Sequence, residues 1–370
     1  MVLKITWKRA LATAAALFML AMAIAWSGVL NIGASTGHWA ITDWFLHWSM
    51  RNTVRTYAAL TVDEPAADAS GLTSAAGHYA ANCAFCHGAP GEQPARVMKG
   101  ATPGAPDLAA TAHSWTDRQL FWIVKHGVKF TAMPAWPALD RDDEIRRMAA
   151  FVRRLPDMTP AEYRALAYGP DGRIVGGKPM RLEDALPDCE RCHAEDGRGQ
   201  PDIPILVGQK PGYLLRALNA YASGKRTSGV MGAAAARLDT DLMQALAKHY
   251  ADLPGGLAKA RMTASADLTA DDRLAERIFA NGLKEANLPP CSRCHAPGKR
   301  PDYPTLAGQK PEYLAARLRR WRGDETIVDA RKSNLPMPVI ARRIPERMIE
   351  PLARFFARQS AVPNSAGAER

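Results

Sequence analysis

The sequence predicts an all-α protein: an N-terminal transmembrane helix followed by three small helical domains. Three observations lead to that architecture. The run Ala10–Leu30 is apolar and carries no charged residue. A Cys-x-x-Cys-His motif occurs at Cys83, Cys86 and His87, again at Cys189, Cys192 and His193, and again at Cys291, Cys294 and His295. The carboxyl-terminal half also repeats itself. Composition is that of a folded chain, with 47% hydrophobic and 23% charged residues, which excludes wholesale disorder. A length of 370 residues suits two or three domains.

The expected organisation is a membrane anchor over 1–32, an interfacial segment and linker over 33–72, domain one over 73–157, a linker over 158–180, domain two over 181–257, domain three over 258–362 and a tail over 363–370. Lys4, Lys8 and Arg9 precede the apolar run, whose length matches the ~20 residues that cross a bilayer. Basic residues on that side favour a cytoplasmic amino terminus, with everything after the span exported. A small-residue pattern at Ala23-Ile-Ala25 keeps a cleaved signal peptide as the alternative. Trp39, Trp44, Phe45, Leu46 and Trp48 then suggest an interfacial amphipathic helix, with His38 and His47 as polar tips at the membrane surface.

In domain one, a short helix over Gly77–Ala84 leads into the first motif. Thr116 and Gln119 form a capping box for a second helix that ends before Gly127. A third starts near Asp140, carries Ile145, Met148, Ala149 and Val152 on its apolar face, and stops at Pro156. The linker after it contains Gly176 and Gly177.

Domains two and three are copies. GQKPGYL at 208–214 recurs as GQKPEYL at 308–314, and LPDCERCH at 186–193 matches LPPCSRCH at 288–295. MGAAAARL from Met231 aligns with MPVIARRI from Met337.

All six cysteines fall in the three motifs, so none remains for a separate disulfide or nucleophile. Cys-x-x-Cys-His is the c-type haem attachment signature. Two thiols add across the porphyrin vinyl groups, and the adjacent histidine is held beneath the iron. Structural zinc would require two such pairs ~12–20 residues apart; here each domain holds one. Three covalently bound haem c groups are therefore expected.

A methionine in the sixth position would give electron transfer rather than catalysis. Each domain offers one in a loop before its last helix: Met133, Met231 and Met337. Met148, Met243 and Met348 lie on helices as core packing, and Met98 is a rival in domain one. Pro106, Pro204 and Pro304 are candidates to accept a hydrogen bond from the proximal histidines, or simply form turns.

These motifs resemble class I cytochromes c. Residues ~180–360 resemble the diheme bacterial cytochromes of the c-four type, through GQKPxYL, the methionine strings and the duplicated layout. CAFCHGAPG and FWIVKHGVKFTAMPAW resemble domains of membrane-anchored c-type cytochromes, with Ala132 where glycine is usual. The resemblance implies periplasmic electron transfer at a bacterial inner membrane, with iron ligands His87 and Met133, His193 and Met231, His295 and Met337. Redox partners would be a quinol-oxidising complex, a terminal oxidase or a dehydrogenase subunit. The alternative is the cytochrome subunit of a membrane-bound dehydrogenase complex.

The net charge of +11 suits acidic partners or an anionic membrane. No motif supports nucleic-acid binding. A haem enzyme or gas sensor would need an open sixth position, and three methionines argue against it. No acid–base constellation stands out. Asp140, Asp142, Asp143 and Glu144 are placed at a helix start, where carboxylates favour the dipole, and the chain reads as an electron carrier rather than an enzyme.

Overall fold

The computed structural model describes residues 6–63, 67–68, 71–169, 179–200, 203–254, 268–296, 302–323 and 336–359. The Gly-Gly pair at 176–177 and the 363–370 tail lie outside them. The described residues are helical, with no strand and two isolated bridges, Ala89–Glu92 and Leu283–Leu288.

Helix α1, Trp7–Trp26, is long and apolar enough to cross a membrane, and none of its residues is buried against protein. Thr6 caps it, its hydroxyl accepting from the Arg9 amide. A helix apolar on all sides with nothing packed on it suits an apolar solvent.

The stretch expected to be interfacial is one helix with two environments. The amino-terminal half of α2, Ala40–Thr61, exposes Ile41, Trp44, Phe45 and Trp48. Its carboxyl-terminal half buries Val54 and Ala58. Tyr57 meets Trp122 at 6.0 Å, and the Arg51 guanidinium lies 4.7 Å over the Trp115 ring. Aromatic periodicity alone did not distinguish those two environments. His47 is exposed, with its ring nitrogen 2.9 Å from the Asp43 carbonyl.

Domain one comprises α3 (Leu72–Asn82), α4 (Ala84–His87), α5 (Leu108–Thr111), α6 (Asp117–His126), α7 (Asp142–Arg154) and α8 (Pro160–Tyr168). The Thr116–Gln119 capping box is formed, and Gly127 ends α6 with φ +65. A Cβ at Gly127 would strike the Pro134 and Met133 backbones, so this glycine lets the Met133 loop close on α6. Tyr79, Ile145, Met148, Phe151, Leu155 and Tyr163 are almost wholly buried together; each such side chain contributes about 1.5–3 kcal/mol of burial free energy. Tyr163 and Ala167 belong to α8, within the stretch expected to be a linker. That helix has its own capping box, Thr159 with Glu162, and packs on α3.

Domain two holds α9 (Leu182–His193), α10 (Pro211–Ala222), α11 (Gly229–Ala235) and α12 (Thr240–Asp252). Domain three holds α13 (Ala270–Asn281), α14 (Ser292–His295), α15 (Pro311–Arg322), α16 (Met337–Arg343) and α17 (Ile349–Arg358). The repeat is visible in the packing: α10 contacts α11 and α12 as α15 contacts α16 and α17.

The repeated Gly-Gln joins the two copies. The Gln209 amide donates to the Thr305 carbonyl at 2.7 Å and accepts from the Thr305 amide at 3.1 Å. Gln309 does the same to Ile205, at 3.0 and 2.9 Å. Both glutamines are buried. Replacing Gln309 with Ala leaves both Ile205 backbone groups unpaired, at a cost of about 1–3 kcal/mol each. Denaturant unfolding should therefore show a lower midpoint for Gln309→Ala, and an unchanged midpoint would contradict the role assigned to this pair.

His78 is buried on α3, 4.8 Å from the Trp136 ring, and burial pushes its pKa from 6.5 down to about 4. The folded state thus keeps His78 neutral while an unfolded chain takes a proton below about 6.5. Its contribution is fully present above that pH and is lost as pH falls toward about 4, by up to about 3 kcal/mol. Stability measured from pH 7 to 4 should fall less in His78→Phe than in the parent chain.

Candidate functional site

Each motif winds into one helical turn that sets two thiols and a ring side by side. In domain one the Cys86 and His87 amides both donate to the Cys83 carbonyl at 3.0 Å. In domain three the Cys294 and His295 amides donate to Cys291 at 3.2 and 3.0 Å. Residues three and four apart share a helix face, so this spacing converges the donors. In domain two the motif ends α9, which carries Pro187 inside it. The Tyr79 hydroxyl donates to the Gly88 carbonyl at 2.7 Å, fastening α3 to the residue after the first motif.

None of the six cysteines is in a disulfide, and each is partly buried. Burial pushes the Cys83 and Cys189 thiols up to about 12 and the Cys291 thiol up to about 11. A zinc site needs thiolates and further donors. Among the described residues no three His, Cys, Asp or Glu side chains converge on a metal position.

The imidazoles are arranged differently from a donor cluster. His87 Nδ1 lies 2.9 Å from the Pro106 carbonyl, and His295 Nδ1 lies 3.3 Å from that of Pro304. A carbonyl only accepts, so Nδ1 carries the proton and Nε2 keeps its lone pair. His295 Nε2 is buried with no partner. A buried acceptor facing nothing is what an iron-ligating nitrogen leaves behind when the cofactor is taken away. His193 Nδ1 is enclosed without a partner at normal hydrogen-bond geometry. Burial lowers the His193 pKa to about 4, although the Pro204 carbonyl acts in the opposite direction. The longer spacing to Pro106 is absorbed by an extended loop, so all three prolines stand near their histidines. The residues fit a covalently held haem.

The three methionines occupy comparable but not identical settings. Met133 is half-buried in a loop whose carbonyl accepts from Val128 at 3.2 Å and whose amide donates to the Thr131 hydroxyl at 3.1 Å. Met231 lies in the first turn of α11, its amide donating to Ser228 Oγ at 2.9 Å. Met337 starts α16 and is half-buried. Met148, Met243 and Met348 are core residues. Met98 is half-buried in a short 3-10 turn, Arg96–Gly100.

Several residues of the site were missed in the sequence. Arg226 is half-buried between the copies: its Nη2 donates to the Tyr313 hydroxyl at 2.8 Å, its guanidinium lies 4.5 Å over the Tyr221 ring, and its Nε is enclosed without a partner. The acidic cluster is more than a dipole device. Glu144 is 6% exposed and bonds Ser228 and Gly229 of domain two at 2.6 and 2.7 Å. Asp143 bonds Arg141 and, at 2.9 Å, Arg320 of domain three. Burial opposes ionisation of Asp143, but the two guanidinium groups hold it well below the usual carboxylate range.

The profile of the family described as "Cytochrome C oxidase, cbb3-type, subunit III" matches residues 71–152. The chain is 29% identical over 218 residues to a "Thiosulfate dehydrogenase electron acceptor" of Thiomonas intermedia, covering 56% of this chain and 96% of that relative. It is 31% identical over 174 residues to a protein of the same description from Stutzerimonas stutzeri, covering 46% and 77%. A cytochrome c4 of Azotobacter vinelandii is 28% identical over 178 residues, covering 45% and 82%.

On a denaturing gel the purified chain should stain for haem, because a thioether link survives unfolding. Replacing Cys189 and Cys192 with Ala should remove about a third of the haem per chain by quantitative absorbance; an unchanged content would refute the second attachment site.

Proposed function

Because the chain belongs to the multihaem class I c-type cytochromes of the c4 type, we propose that it is a triheme electron carrier tethered to a bacterial inner membrane. The observation that carries this reading is the recurring turn of two thiols and a histidine held through Nδ1, with the inward nitrogen orphaned at His295.

The three cysteine pairs would hold the groups. His87 with Met133, His193 with Met231 and His295 with Met337 would supply the iron ligands. When bound, each haem supplies an iron that takes up and releases one electron. The protein's part is to fix the ligands. Pro106 and Pro304 orient the rings of His87 and His295, and the three methionines would serve as second iron ligands, which would leave no site for a substrate. α1 serves as the anchor, with Lys8 and Arg9 on the cytoplasmic side and the three domains in the periplasm.

The route runs from a quinol-oxidising complex or another donor to a terminal acceptor. A second reading, in which the chain accepts electrons directly from a dehydrogenase, is favoured by the two relatives described as thiosulfate dehydrogenase electron acceptors. The net charge of +11 suits an acidic docking face on either partner. Purification of the tagged chain from detergent-solubilised native membranes separates the two. Co-purifying oxidase or quinol-oxidase subunits support the conduit, and a dehydrogenase subunit supports the second reading.

With every sixth position filled, the reduced protein should bind little carbon monoxide at neutral pH. Difference spectra during a carbon monoxide titration check this, and stoichiometric binding at one haem would overturn the all-methionine ligation.

A further inference from the structure

We propose that domain one completes the Met231 site of domain two, with Glu144 as the positioning residue that locks the methionine segment in place. The inference rests on the reading of Met231 as an iron ligand.

Four consecutive residues before Met231 are held by domain one. The Thr227 carbonyl accepts from Arg141 Nη1 at 3.1 Å, and the Thr227 hydroxyl donates to Asp140 at 2.8 Å. Ser228 Oγ donates to Glu144 Oε1 at 2.6 Å, and the Gly229 amide donates to Oε2 at 2.7 Å. Val230 packs against the domain-one core. The next residue is Met231.

The connection to the methionine is short. The Ser228 hydroxyl that donates to Glu144 also accepts from the Met231 amide at 2.9 Å, so one side chain links the carboxylate to the ligand's own backbone. Ser228 is the N-cap of α11, and its rotamer sets where that helix begins. Glu144 is itself held on every side. Beyond Ser228 and Gly229 it takes the Trp136 Nε1 proton at 3.3 Å and pairs with Arg141 at 2.6 Å. A buried carboxylate with four donors has one geometry, and short charge-assisted bonds transmit it. Gly229 is part of the fit, because a Cβ there would run into the Trp136 indole.

Two further observations separate this device from ordinary packing. The segment is not a feature of the repeated module: where domain two reads Ser228-Gly229-Val230, domain three reads Asn334-Leu335-Pro336. Domain two, whose methionine segment lies on domain one, has its own sequence there. Domain one also contacts the cysteine turn of domain two. Arg191, between Cys189 and Cys192, bonds the Ala167 carbonyl of α8 and lies on Gly77 of α3, where a Cβ would meet its Nε at 2.8 Å. Both the cysteine turn and the methionine segment of domain two are therefore seated on domain one.

The test uses the full haem-loaded chain in detergent and reads the far-red methionine–iron charge-transfer band of the oxidised protein, together with the midpoint potentials. Met231→Ala is the reference and should remove about one third of the band, one site of three. Glu144→Ala should weaken the band by up to that third and lower the midpoint of one component. Glu144→Gln, which can still accept from Gly229 and Trp136, should retain most of it. Ser228→Ala cuts only the link and should reproduce a partial loss, which keeps the test open if Glu144→Ala does not accumulate. A full-strength band and three unchanged midpoints in Glu144→Ala or Ser228→Ala, beside a one-third loss in Met231→Ala, overturn the proposal. An unchanged band in Met231→Ala overturns the ligand reading itself.

Discussion

An imidazole that presents Nε2 to the interior has to be held through Nδ1 from outside, and much of this structure is arranged around that requirement. The carbonyls of Pro106 and Pro304 meet it directly. Proline suits the place because its fixed φ stiffens the segment that carries the acceptor. In domains two and three the same segment continues into Gln209 and Gln309, which pair with the backbone of the other copy. One stretch of chain thus sets a histidine and joins two domains, so the ring orientation and the domain interface constrain each other.

The three domains are joined by two kinds of contact. Between domains two and three the bonds are neutral, amide to peptide, and reciprocal. Between domain one and the others they involve charged groups: the Glu144 carboxylate on Ser228 and Gly229, Asp143 with Arg320, and the Arg191 guanidinium on the Ala167 carbonyl of α8. Buried ion pairs add little net stability, because desolvation offsets most of their attraction. Their contribution is directional. A carboxylate with four placed donors admits one docking geometry where an apolar patch would tolerate several.

The membrane end follows the same logic of shared elements. α2 exposes aromatic residues along its first half and enters the core of domain one with its second. No hinge residue interrupts it between Ala40 and Thr61. Domain one is thereby fixed to the helix that follows the apolar span, and the other two domains are fixed to domain one.

The sequence by itself determined the all-α class, the three attachment motifs, the repeat and the α6 capping box, because each depends on residues a few positions apart. Cys-x-x-Cys-His is one helical turn, and Thr116 with Gln119 is another local geometry. The proline acceptors were also within reach, since Pro304 lies nine residues past its histidine in the chain. What the tertiary structure decided was long-range. Asp143 and Glu144 looked like dipole partners because they begin a helix, but their charges are used 177 and 84 residues away, on Arg320 and Ser228. α8 looked like linker because its apolar residues are few, and its burial depends on α3. Gln209 and Gln309 were legible as a repeat but not as a joint. A side chain's partner across an interface leaves no periodicity in the chain, so only the fold shows which carboxylate meets which guanidinium.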